Sequence, residues 1–279
     1  MREFLIEQGQ ERLSFVKSVQ INDQPLFIAQ EIRGLLGFDE EWAAKQPTWS
    51  DALRVLRDAI ENAGVLVVVN GIVGNNTHRK LDPGEFRGFV LVDDYAPLMF
   101  VNGADGKAAQ MFTLAHELAH IFLGSGAAFD LREMKPAKNR IEQLCNRVAA
   151  EFLVPEEKIR RIWPSIPRDA DPFQYMAQKF KVSRLVAARR VLDLGMIQKT
   201  EFLDFYNDYL GEERTKSGER SQGGDFFKTQ FMRIGRRFTY AVVQAAREGK
   251  VLYSEAYKLT GLYGKTFDKY VSSLKILGN

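Results

Sequence analysis

Apolar residues recur at helical spacing through 25–36 and again through 49–63, which predicts two amphipathic helices near the start of the chain. The second opens at Thr48-Trp49-Ser50-Asp51, a capping sequence, and stops at Gly64. There the pattern changes. Val65-Leu66-Val67-Val68-Val69 is continuous and rich in β-branched residues, the mark of a buried strand. Residues 71–84 are polar, contain Asn75-Asn76-Thr77-His78, and read as a loop. Two further strands are predicted over 87–93 and 97–101, separated by a turn at Asp94-Tyr95-Ala96. Helical spacing returns near Lys107 and recurs over 141–154, 156–163, 172–180, 183–194 and 201–210. A polar, glycine-containing stretch at 211–224 then precedes helical patterns at 226–247, 253–260 and 265–274. The expected fold is α+β: a small sheet with a helix packed directly on it, followed by a mainly helical region. The expected organisation is one domain over 1–210, a linker over 211–224, and a basic helical C-terminal domain over 225–279.

The helix that begins near Lys107 carries more than packing. Its run Phe112-Thr113-Leu114-Ala115-His116-Glu117-Leu118-Ala119-His120 holds two of the chain's three histidines, four residues apart. Positions i and i+4 of a helix share a face, so both imidazoles can reach one metal ion, as in the H-E-x-x-H pattern of zinc proteases. Glu117, beside the first histidine, is then placed to act on water at that metal. The alternative is a pair of core histidines that merely hydrogen-bond, which an apolar helix buries only at a cost unless something pairs with them.

A catalytic zinc site usually takes three protein ligands and leaves a place for water. Glu142 is the strongest third candidate, since Glu142, Cys145 and Asn146 share a helix face at i, i+3 and i+4. Ala149 and Ala150 are small enough for that helix to lie close against another. From the residues alone, a solvated helix carboxylate is the better explanation of Glu142. Asn146 is a candidate for orienting a ligand from behind. Cys145 could approach the metal as a thiolate, or be a small buried helix residue. His78 and Tyr95, in the loops before the motif, are candidates for stabilising an oxyanion, against the plainer reading of ordinary loop residues. The strand at 97–101 could pair with an extended peptide along a free edge, unless it is interior.

Length and composition narrow the setting. The chain has 279 residues, 45% hydrophobic and 27% charged, enough for one full core and a smaller second unit. No apolar stretch approaches membrane-spanning length, so no membrane association is expected. The acidic residues at Glu3 and Glu7 do not suit a signal peptide, and the single cysteine excludes an internal disulfide; a reducing cytoplasm is the expected location. The net charge of +3 is too small to indicate nucleic acid, but its distribution is uneven: residues from Gly211 onward carry +6 and the rest −3. Within that tail, residues 254–267 are compatible with a helix-turn-helix, which with the basic excess suggests contact with DNA or single-stranded DNA. A helical bundle that packs on the preceding domain or on a partner protein is the alternative.

Four blocks together resemble the ImmA/IrrE metallopeptidases: residues 81–89, residues 96–102 ending in Asn102, residues 110–120 with the H-E-x-x-H, and residues 142–155. The last is similar to the family's E-x-x-A-N-x-x-A-A-x-x-L-x-P helix. The resemblance spans about residues 52–155 and weakens towards 210; Cys145 stands where many relatives have Ala, and Val154 where many have Met. It implies a minimal zincin-like fold with one zinc held by His116, His120 and Glu142, and Glu117 as general base. It further implies a zinc endopeptidase of narrow specificity that cleaves a helix-turn-helix repressor and so derepresses mobile-element, stress-response or defence genes. The rival expectation is a non-proteolytic regulatory or antitoxin protein that acts by binding a partner protein or DNA.

Overall fold

The computed structural model describes residues 2–73, 76–126, 128–129, 139–216 and 233–276. Helices α2 (Pro25–Leu36) and α3 (Trp49–Asn62) follow the apolar spacing, and a short α1 (Arg2–Glu7), which the pattern does not predict, precedes them. Thr48 caps α3 by accepting the Asp51 amide at 3.1 Å. The buried stripe of α3 is Ala52, Leu53, Leu56 and Ile60, one residue per turn or nearly so.

Strand β1 (Leu66–Asn70) enters the core directly after α3. The polar stretch that follows is not all loop. Strands β2 (Ile72–Val73) and β3 (Asn76–Lys80) form a small antiparallel hairpin, held by backbone pairing where side-chain pattern gives no signal. β4 (Gly88–Leu91) and β5 (Leu98–Asn102) complete the main ladder with β6 (Ala128–Phe129), in the order β1-β5-β4-β6. β5 lies parallel to β1, with Leu66 opposite Leu98, and antiparallel to β4, with Gly88 opposite Val101. The expectation of a free edge at 97–101 is therefore overturned: β5 is paired on both sides. Among the described residues β4 pairs with β6 at Gly88 and Phe89.

Helix α4 (Lys107–Leu123) packs on β4 and β5 and against α3 and α5 (Arg140–Leu153). Met111, Leu114, Ala115, Leu118, Ala119 and Ile121 have no exposure, so α4 is buried all round, as its unbroken apolar run requires. Its start is fixed by two buried amides. Asn102 donates to the Phe86 carbonyl at 3.2 Å and accepts the Ala104 amide at 3.0 Å. Gln110 donates to the carbonyls of Gly103 and Asp105, at 3.2 and 2.6 Å. The chain is thus clamped between the end of β5 and the first turn of α4, which sets the height of every later α4 residue over the sheet.

Helix α5 lies against α4 and α2, with Cys145, Val148 and Ala149 fully buried. Behind it come α6 (Glu156–Ile162), α7 (Pro172–Phe180), α8 (Arg184–Asp193) and α9 (Lys199–Lys216). A buried polar knot joins α2, α5 and α8. Glu151 pairs with Arg190, whose Nε also donates to the Val154 carbonyl at 3.1 Å, while Arg33 donates to the carbonyls of Glu151 and Phe152. α9 runs on to Lys216, so the stretch expected as a linker begins as helix; its remainder, with residues 226–232, lies outside the described residues.

Three last helices, α10 (Arg236–Arg247), α11 (Tyr253–Thr260) and α12 (Gly264–Ile276), gather around a small core of their own. α10 seats this unit on α1 and β1 through Ala241 and Ala245 against Phe4, Leu5 and Leu66. Among the described residues no helix is long and apolar enough to cross a membrane.

Candidate metal centre

Helical geometry sets His116 and His120 one turn apart on α4, and their Nε2 atoms face each other at 3.0 Å. α5 brings Glu142 to the same point, Oε2 lying 3.2 Å from His116 Nε2 and Oε1 lying 3.3 Å from His120 Nε2. One ligand atom from each of the three residues falls within 4.8 Å of the others. Two facing imidazole nitrogens can share at most one hydrogen bond, whereas a cation between them and the carboxylate would satisfy all three groups. Two histidines and one glutamate are also a donor set of catalytic zinc sites, with a position to spare.

The supporting contacts favour the ligating form. His120 Nδ1 lies 3.0 Å from Ser125 Oγ, just past the end of α4. With the ring proton on Nδ1 donated to that hydroxyl, Nε2 keeps its lone pair for a metal. Asn146, one turn beyond Glu142, interacts with the His116 side chain from α5. Burial pushes His116 down to about 4, against the pull of Glu142, so the ring is neutral at pH 7. Burial would raise Glu142, but when the facing Nε2 atoms of His116 and His120 carry the ring protons instead, their hydrogen bonds outweigh burial and hold the carboxyl down to about 2.

Glu117 sits beside the cluster with no exposure, and among the described residues neither carboxylate oxygen has a hydrogen-bond partner. Burial, reinforced by the charge of Glu142, pushes it up to about 9. In this ion-free arrangement the side chain therefore keeps its proton at pH 7. Gly88 makes room for it. A Cβ at Gly88 would meet Thr113 Cγ2 at 2.5 Å, the Phe100 carbonyl oxygen at 2.7 Å and Glu117 Oε1 at 3.4 Å, so only glycine lets β4 pass this close to α4.

Of the residues singled out from the sequence, the structure brings together His116, His120 and Glu142, with Glu117 and Asn146 alongside. It does not bring Cys145 into the ligand group: the thiol is buried, and burial, with Glu142 and Glu117 near, pushes it up, so it stays protonated. His78 lies exposed in β3, its amide bonded to Asn76 Oδ1 at 3.0 Å, outside the ligand group. Tyr95 lies beyond Leu91, the end of β4 opposite Gly88, with the Arg2 guanidinium over its ring at 5.4 Å. Ser125 and Gly88 went unread in the sequence. A hydroxyl five residues after the second histidine, just past Gly124, is the signal that could have found Ser125; Gly88 carries none outside its register against α4.

Residues 60–192 match a peptidase family described as IrrE N-terminal-like domain, and residues 234–273 match a Domain of unknown function (DUF8813). A comparison with curated proteins finds no match. The first match takes in all of the sheet, α4 to α7, most of α8, and every residue of the centre just described. The match over residues 60–192 supports the resemblance to the ImmA/IrrE metallopeptidases.

Proposed function

We propose that the protein is a zinc-dependent endopeptidase of narrow specificity, with a zincin-like domain, that cuts a helix-turn-helix repressor and so releases the genes it silences. One observation carries the reading: His116, His120 and Glu142 converge on a point beside a buried Glu117 whose oxygens have no partner among the described residues. A core that only needed stability would have no use for that carboxylate, because an unpaired buried acid costs free energy.

Zinc held by the three ligands would supply Lewis-acid chemistry, polarising a carbonyl and lowering the pKa of water. Glu117 handles the proton. While Glu142 is the nearest charge, Glu117 keeps its own proton; positive charge at the cluster offsets that repulsion and lets Glu117 ionise. Its free oxygens then take the proton of the attacking water and pass it to the departing amine. Ser125, in contact with His120 Nδ1, keeps that ring turned so that Nε2 faces the cluster. His116, Glu117 and His120 are fully buried and the Glu142 side chain is 18% exposed, which supports selectivity for a segment that can be drawn in.

The test is cleavage of a candidate helix-turn-helix repressor, sought among the proteins encoded beside the gene. Mass spectrometry should show a single cut that a chelator abolishes and added zinc restores. A repressor that stays intact under all three conditions, while its regulated genes still respond to the protein in cells, would favour action by contact alone.

A further inference from the structure

The last three helices hold a second arrangement that the peptidase centre does not use. α11 is eight residues long, and α12 starts at Gly264, so three residues make the turn between them. Gly261 closes α11 in the left-handed region at φ 64°, a conformation that other residues adopt only with strain. The Thr260 hydroxyl donates to the Ala256 carbonyl at 2.7 Å and accepts the Leu262 amide at 3.4 Å, tying the turn to the helix it leaves. Ala256, Thr260, Leu262 and Phe267 are at most 3% exposed and face inward from both helices. The Phe267 ring packs edge-on to Tyr257 at 5.1 Å and to Tyr253 at 6.3 Å. α10 closes the core from behind with Val242, Val243 and Ala246. A short helix, a three-residue turn with glycine first, and a longer helix, braced by a third, make a helix-turn-helix.

The outer surface is of another character. Tyr263, Gly264, Lys265, Asp268 and Lys269, at the start of α12, are all exposed, and Tyr263 is 63% exposed. Residues 233–276 carry nine basic side chains against three acidic ones, whereas the chain as a whole has a net charge of only +3. The unit sits on the peptidase domain through Ala241 and Ala245 of α10, which leaves the start of α12 outward. In a helix-turn-helix, that part of the second helix meets base edges in the major groove while lysines meet phosphates.

We propose that the α10–α12 unit is a binding site for duplex DNA, with the start of α12 in the major groove and Tyr263, Lys265 and Lys269 in contact with it. The inference stands apart from the peptidase reading and concerns a part of the chain outside the peptidase match.

The experiment uses the full chain and a fluorescein-labelled duplex of about 30 base pairs, of random sequence, with anisotropy followed from about 50 to about 200 mM salt. The same protein is used to enrich binders from a randomised duplex pool. Binding should weaken steeply with salt and the pool should yield a motif. Lys265→Glu with Lys269→Glu should weaken binding more than about tenfold and flatten the log–log salt slope by about two. Both side chains are exposed, so the far-ultraviolet circular dichroism should not change. Tyr263→Ala, which removes no charge, should blur the enriched motif and leave the salt slope in place. Absence of binding at the lowest salt, binding untouched by the double charge reversal, or tighter binding to the corresponding single strand would each overturn the proposal. Loss of a protein partner in the double variant, with no duplex bound by either form, would overturn it too.

Discussion

Glu117→Gln should abolish the proposed peptide hydrolysis and leave the fold and the three ligands in place. The substitution is nearly isosteric, and among the described residues neither oxygen it alters has a hydrogen bond to lose. What disappears is the acceptor: an amide cannot take a proton from water. Removing a general base costs about two to four orders of magnitude in rate, which puts turnover below easy detection. The same substitution has a signed consequence for stability. In the metal-free protein Glu117 is raised from an ordinary value near 4.5 to about 9, so the folded state keeps a proton that the unfolded chain would release. A raised carboxyl contributes its full stability in acid and loses it as pH rises through that window. The glutamine amide does not titrate. Chelator-treated Glu117→Gln should therefore gain in Tm over the parent between about pH 5 and pH 8, and the gain should vanish in stronger acid. His116 and Glu142 are lowered rather than raised, and so destabilise both proteins alike in acid. Wild-type turnover in the variant, or a Tm difference that ignores pH, would remove Glu117 from its assigned role.

Glu151→Ala carries the largest expected loss of stability, about 3 to 5 kcal/mol. Glu151, Arg190 and Arg33 are 5%, 8% and 5% exposed, and the carboxylate is what offsets the buried Arg190 charge. Alanine leaves that guanidinium leaning on the Val154 carbonyl, too little for a buried cation. Replacing both members by apolar residues, Glu151→Leu with Arg190→Met, should recover most of the loss, because no charge is then left unpaired. Urea unfolding of the three proteins reads this directly. A single variant within about 1 kcal/mol of the parent would mean that the knot is wetter than its burial indicates.

Much of the architecture is legible in the sequence where side chains enforce a period. α2, α3, α4 and α5 fall within a residue or two of the apolar pattern, because each buries a face that a shift would expose. The β2–β3 hairpin and the two-residue β6 escape notice for the opposite reason: backbone pairing defines them, and segments this short carry too few apolar positions to show a period. β5 reads correctly as a strand, yet its place in the sheet depends on β1 and β4 meeting it from separate segments, which pattern cannot express.

The centre divides in the same way. His116, Glu117 and His120 are local to one helix and therefore visible. Glu142 needed its own helix to be packed on α4 by residues such as Ala149, and from the residues alone a solvated carboxylate was the better reading. Ser125 acts through one hydroxyl at a helix end, and Gly88 through the side chain it lacks. The Glu151–Arg190 pair joins residues 39 positions apart and shows no sign of itself in either segment.

The claim on which all of this rests is that His116, His120 and Glu142 hold one metal ion, and metal analysis of the purified protein by inductively coupled plasma mass spectrometry tests it most directly. The expected result is about one zinc per chain, lost in His116→Ala and in His120→Ala, strongly reduced in Glu142→Ala, and unchanged in Glu117→Gln. A parent protein that binds no divalent metal even when zinc is supplied, or a double histidine variant that keeps its full zinc content, would contradict it.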